Sequence, residues 1–131
     1  MRTVLVAAGV LIEAGRVLLT QRKAGAHLEG MWEFPGGKVE AREEPRAALA
    51  RELREELGIE ATIGEELDRY EVRYGDGPLT LLLFYRVDAF RGEPQNLDFE
   101  QIVWEKRERL GDYDFLEGDV AFVAKLKITA E

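Results

Sequence analysis

Apolar residues fall in short runs broken by Gly, Pro and charged residues, and the runs predict the elements. Residues 3–13 (TVLVAAGVLIE) are apolar and β-branched, end at Ala14-Gly15, and are followed by residues 16–21 (RVLLTQ); the two predict a β-hairpin. Residues 23–31 read as a Gly-containing loop, and residues 32–34 and 38–40 as short extended pieces around a Pro35-Gly36-Gly37 turn. Glu44-Pro45 opens a helix that runs to about Leu57, with Pro in its first turn and Gly58 just past its end. Residues 61–74 and 79–90 flank Gly75-Asp76-Gly77 and predict a long second hairpin, residues 101–104 another strand, and residues 120–127 a closing short helix. Strands around one strong central helix and a terminal one give an α/β (α+β) fold with a mixed or largely antiparallel sheet.

The chain has 131 residues, about 46% of them hydrophobic, which suits one domain over 1–131 with a proper core. It holds no cysteine, so a disulfide framework and a thiolate metal site are both excluded. No apolar run is long enough to cross a bilayer, and no basic-then-apolar leader opens the chain; a cytoplasmic protein is expected. The balance of 18 basic against 26 acidic residues, −8 overall, argues against gripping a nucleic-acid polymer or an anionic membrane. That charge is localised. Residues 40–66 carry nine Glu against four Arg, so −5 of the −8 lies in about a fifth of the chain.

The central helix has two faces. Leu49, Ala50, Leu53 and Leu57 form one apolar stripe, and Glu52, Glu55 and Glu56 stand at i, i+3 and i+4 on another face. Three carboxylates that close repel one another. Either solvent and the interspersed Arg51 and Arg54 relieve that, which makes a solvated charged face, or a hard divalent cation does. Just upstream, Gly36 and Gly37 let backbone approach a ligand closely, and Lys38 offers a cation for a phosphate.

Gly37, Glu43, Arg51-Glu52-Leu53, Glu55-Glu56 and Gly58-Ile59 stand at the spacing Gly-x5-Glu-x7-Arg-Glu-U-x-Glu-Glu-x-Gly-U, with U aliphatic, and all nine specified positions match. The pattern resembles the Nudix box. Residues 6–22, 32–37, 80–85, Trp104 and 124–127 extend the likeness to the MutT branch of that family, so it spans nearly the whole chain. The resemblance implies an α/β/α sandwich around a mixed sheet. It also implies Mg²⁺-dependent hydrolysis (Mn²⁺ substituting) of a (deoxy)nucleoside triphosphate to monophosphate and pyrophosphate, by attack of an activated water on phosphorus. Glu55 and Glu56 would then hold the metal with the Gly36 carbonyl, Glu52 would bind metal or act as general base, Arg51 would orient the glutamates, and Glu43 would brace the loop. A further catalytic carboxylate maps to Asp98, with Glu100 close by.

On the substrate side, the resemblance places Arg22 on phosphate and His27 near the ligand, with Phe34, Pro35, Gly36, Gly37 and Lys38 beside it and Phe34 and Phe84 lining the base. An Arg that reads oxidised guanine in the branch falls at or beside Gly77, so that contact is lost here. The position of an Asn that reads the purine edge is Asp119, which reads equally as the N-cap of the last helix. Residues 51–66 also look like the relatives that hydrolyse cytidine triphosphate, so 8-oxo-dGTP and CTP or dCTP are both carried forward. The partner expected is thus a small nucleotide bound by a monomer or homodimer. The alternatives are a Nudix enzyme acting on ADP-ribose or a dinucleoside polyphosphate, or a non-catalytic nucleotide-binding module of the same fold.

Overall fold

The computed structural model describes residues 3–128. Its strands are β1 (Thr3–Val10), β2 (Ile12–Glu13), β3 (Arg16–Gln21), β4 (Trp32–Glu33), β5 (Gly36–Lys38), β6 (Glu60–Arg73), β7 (Leu79–Arg91) and β8 (Gln101–Lys106); the helices are α1 (Pro45–Leu57) and α2 (Glu117–Ile128). A 3₁₀ helix over Arg107–Asp112, which the sequence pattern did not suggest, joins β8 to α2.

Two sheets form. The first has the order β5-β1-β7-β6 and is mixed, because β1 runs parallel to β7 while the other pairs are antiparallel. The second joins β2, β3 and β4, with β8 antiparallel to β3. The helices cover opposite faces. Ala8 and Val10 of β1, Val17 and Leu19 of β3 and Leu82 and Phe84 of β7 pack with Phe122, Val123 and Leu126 of α2. Their alternates Ala7, Leu18, Leu83, Tyr85 and Val87 pack with Leu49, Leu53 and Leu57 of α1. Strands covered on both sides read as continuous apolar runs, which is why the period-two signal is absent from residues 81–85.

Three expectations need correction. The first hairpin is mostly not one: β1 pairs with β5 and β7, and only Ile12 and Glu13 pair with β3. The chain changes sheet at Leu11, whose side chain is fully buried and whose carbonyl still accepts from the Leu18 amide. The Ala14-Gly15 turn is real, with both φ values positive (53° and 78°), as a two-residue hairpin turn requires. The Pro35-Gly36-Gly37 segment is not a turn either. Gly36 and Gly37 are strand residues, opposite Ala8 and Ala7. On Gly36, at φ 151°, a Cβ would lie 2.0 Å from the Ala7 carbonyl oxygen, so only glycine brings this strand onto the sheet edge. Lastly, α2 begins at Glu117, three residues before the expected Val120, and so Asp119 lies inside its first turn.

Helix α1 keeps its expected limits. The Glu44 carboxylate accepts from the Arg46 and Ala47 amides, Pro45 occupies the first position, and Gly58 closes the helix at φ 71°. Its buried stripe is Ala48, Leu49, Leu53 and Leu57, with Ala48 taking the place expected for Ala50. Among the described residues no helix is long and apolar enough to cross a membrane.

Candidate active site

Helix α1 presents its glutamates to β5. Arg51 is the hub of that face. Its Nε and Nη2 form a two-point bond to Glu43 (2.8 and 3.0 Å), Nη1 reaches Glu52 (3.2 Å) and Glu55 (3.3 Å), and Nη2 also donates to the Lys38 carbonyl (3.2 Å). The planar guanidinium fits this fork, as a lysine ammonium would not. Pairing with Arg51 holds the Glu43 carboxyl down at about 2. Glu52 differs. Its side chain is 16% exposed beside Gly37, and burial raises its pKa against the pull of Arg51.

Glu56 is the most perturbed of the three. It is half-buried under β5, where Oε1 accepts from the Gly36 amide at 3.3 Å. Burial, together with the charges of Glu52 and Glu33, pushes its pKa up to about 9. Glu55 stands outward on Arg51 with 59% of its side chain exposed. Among the described residues no group of three or more Asp, Glu, His or Cys side chains is gathered closely enough to hold a metal ion. The donor set nevertheless fits a hard cation: all oxygen, crowded with like charge, and including a half-buried carboxyl held protonated for want of a counter-charge. At Gly36 the group set against Glu56 is the amide N–H.

Beside Glu56 opens a cavity of about 430 Å³. Its charged and polar lining includes Arg22, Lys23, His27, Lys38, Glu56 and Asp98, with Gly36 and Gly37 between. The loop over residues 92–100 is tied to α1 by its Gln95 and Leu97 amides, which donate to the helix's last carbonyls, at Leu57 and Glu56. Asp98 on that loop pairs with Lys23 across the mouth at 3.1 Å, and Glu100 accepts from the Ala24 amide. Arg22 is held by the His27 carbonyl (2.6 Å) and by Glu33 (3.1 Å).

The rest of the lining is mostly apolar. It includes Val4, Val6, Ala8, Phe34, Leu82 and Leu116, together with Thr80, Tyr74 and Asp119. Asp119 is 3% exposed, and its Oδ2 has no hydrogen-bond partner among the described residues. Burial first, then the nearby Glu33 charge, raises its pKa well above the ordinary carboxyl value. It therefore does not cap α2; it faces the cavity. Segment 114–116 sets it there, since Trp32 donates to the Asp114 carbonyl and Leu116 donates to the Trp32 carbonyl, docking the start of α2 beside β4.

Two residues expected on the substrate do not reach the cavity. Phe84 is fully buried and stacks on Phe122 of α2 at 4.1 Å, further along β7 than Thr80 and Leu82, which share its face and do line the cavity. Pro35 is buried at the end of β4, where its carbonyl accepts from the Gly9 amide. Conversely, Glu33 and Tyr74 line the cavity and were not singled out from the sequence. A signal for Glu33 existed: it is the one acid between two buried aromatics, Trp32 and Phe34. Tyr74 carried none, because its position depends on where the tip of the β6-β7 hairpin comes to lie.

The model of the NUDIX domain matches residues 3–126, nearly the whole chain. The chain belongs to the Nudix family. This Nudix hydrolase is 40% identical over 120 residues to the CTP pyrophosphohydrolase of Escherichia coli, covering 92% of this chain and 88% of that protein. It is 34% identical over 128 residues to the 8-oxo-dGTP diphosphatase of the same organism, covering 97% and 98%. Among solved structures, a MutT Nudix hydrolase from Burkholderia pseudomallei superposes with a TM-score of 0.86 at 26% identity, over 98% of this chain and all of that one. Hydrolases of the family generally use divalent metal ions.

Proposed function

We propose that this Nudix hydrolase, one domain over 1–131, is a Mg²⁺-dependent pyrophosphohydrolase. It cleaves a (deoxy)nucleoside triphosphate, of the class named in its relatives, to monophosphate and pyrophosphate. The observation that carries the proposal is the cavity lining: Glu56, Glu33 and Asp98 with Arg22, Lys23 and Lys38 beside the glutamate face of α1, together with apolar side chains and a buried Asp119 whose Oδ2 has no partner among the described residues. A lining that mixes charge with apolar surface suits a triphosphate joined to a flat base.

Glu56, Glu52 and Glu55 would hold Mg²⁺, with the Gly36 carbonyl as the backbone donor, and Mn²⁺ would substitute. The ion supplies charge neutralisation at the phosphates and makes an attacking water easier to deprotonate. Glu52, held between Gly37 and Arg51, binds the ion or takes the water's proton. Arg51 holds Glu52 and Glu55 in place. Arg22, Lys38 and Lys23 face the phosphates, Lys23 by exchanging Asp98 for substrate, which leaves Asp98 free as the further carboxylate. Phe34 packs against the base, Asp119 meets its polar edge, and His27 lies at the rim. The protein is read as cytoplasmic and as a monomer or homodimer, with neither nucleic-acid polymer nor membrane as partner, in keeping with the −8 charge.

The test is incubation with 8-oxo-dGTP, dGTP, CTP and dCTP in Mg²⁺, with pyrophosphate release as the readout. Turnover of at least one with release of pyrophosphate is expected. Absence of turnover of all four, or turnover confined to ADP-ribose or dinucleoside polyphosphates, overturns the reading.

A further inference from the structure

The wall of the cavity contains a hydroxyl whose role is not that of a core tyrosine. Tyr74 is the first residue beyond β6, at the hairpin tip, where its carbonyl accepts from the Gly77 amide (3.1 Å) and fixes the backbone. Its side chain is half-buried, crosses to α2, and lines the cavity together with Asp119. There its hydroxyl oxygen accepts from the Gly118 amide at 3.2 Å. Gly118 has to be glycine for this to happen, since a Cβ on it would lie 2.5 Å from that oxygen. The residue that anchors the hydroxyl is therefore the immediate neighbour of Asp119, and the two polar groups share one wall.

The anchoring decides what the hydroxyl can offer. A phenol has one proton to give and lone pairs to receive. Gly118 already takes the receiving side, and among the described residues the proton has no acceptor. Burial and the charges of Asp119 and Glu33 raise the phenol pKa, so the proton stays on. A buried carboxyl such as Asp119 accepts when ionised and both accepts and donates when protonated, so alone it matches more than one base edge. A fixed donor beside it matches fewer.

We propose that Tyr74 is a specificity-determining residue that donates to a ring carbonyl of the nucleobase while Asp119 meets the adjoining ring N–H. The wall so formed selects a lactam edge, as in hypoxanthine, guanine or uracil, over the amino-and-imine edge of adenine or cytosine. This rests on the cavity being the base end of a nucleotide site, and it favours the oxidised-guanine class of substrate over CTP.

The test uses binding of nucleoside monophosphates, which needs no turnover. Dissociation constants of IMP, AMP, UMP and CMP are measured by calorimetry with Mg²⁺ for the wild-type protein and Tyr74→Phe. The members of each pair, IMP with AMP and UMP with CMP, differ at the edge in question. IMP and UMP are expected to bind about tenfold tighter than their partners to the wild type, and the ratio is expected to fall to about one in Tyr74→Phe. A purely structural role for Tyr74 would weaken all four equally and leave the ratios unchanged, and that result overturns the proposal. So does a wild-type protein without carbonyl preference. Failure to bind any of the four overturns the nucleotide-site reading along with it. Binding with the expected ratios but no hydrolysis of any triphosphate overturns the activity alone.

Discussion

Gly37 lies so close to Glu52 that a Cβ on it would stand 2.4 Å from the Glu52 carboxyl carbon. The Nudix box thus pairs its first residue with its central glutamate by contact, strand edge against helix face. Gly37→Ala must displace either β5 or the Glu52 carboxylate. Because misplacement by about 1 Å can cost on the order of 100-fold in rate, kcat is expected to fall by about that factor while circular dichroism stays native. A Gly37→Ala enzyme with native kcat would show that Glu52 does not work from this position.

Arg51 makes a two-point bond to Glu43 and reaches Glu52 and Glu55. Arg51→Lys keeps the charge and loses the fork. Loss of such a supporting contact is expected to raise the Mg²⁺ requirement for activity about 10- to 100-fold. The pH dependence has a definite sign. Glu43 is held at about 2 against an ordinary 4.5, so its contribution is present above 4.5 and is lost as pH falls toward 2. The melting-temperature gap between wild type and Arg51→Lys should therefore shrink over that interval.

Glu56 carries the opposite shift, up to about 9 from an ordinary 4.5. Without metal the folded protein holds that proton where the unfolded chain releases it, so Glu56 costs stability increasingly as pH rises from 4.5 to about 9. Glu56→Gln should then melt higher than wild type in chelator at pH 8 while losing roughly 100-fold or more in activity. Added Mg²⁺ should raise the wild-type melting temperature, more at pH 8 than at pH 6, and leave Glu56→Gln largely unmoved.

Asp119 has a raised pKa chiefly through burial, as Glu56 does, with the Glu33 charge adding to it, and among the described residues its Oδ2 has no partner. Its cost begins as pH rises through the ordinary 3.8 and grows toward the folded-state value. Asp119→Asn is expected to be more stable than wild type near neutrality and equal to it below 3.8, by chemical denaturation across that range.

Phe84 separates core from site. Phe84→Ala should cost about 3–5 kcal/mol of stability, the usual range for a buried aromatic. In the surviving folded fraction KM should stay within about twofold of wild type, because Phe84 is fully buried between β7 and α2 and does not line the cavity. A large rise in KM with unchanged stability would return Phe84 to the substrate.

What spacing and turn chemistry mark was legible in the chain. Helix α1 from Glu44 to Gly58 and the Glu52-Glu55-Glu56 face rest on contacts within a few residues, and the Gly75-Asp76-Gly77 tip announced the long β6-β7 hairpin. What the tertiary structure decided was partnership. Whether residues 3–10 pair with residues 16–21 or with β5 and β7 is invisible to an apolar pattern, because a strand covered on both faces carries no alternation to show its neighbours. The same limit hid Tyr74, whose value lies in an amide 44 residues away, and it misplaced Phe84, which Phe122 of α2 covers. The sequence set out the carboxylates and the glycines that admit them. Packing of α2 against β4 and the hairpin tip turned a cleft into a pocket with a buried acid and a fixed hydroxyl, because burial and donor direction belong to surfaces that meet only in the folded chain.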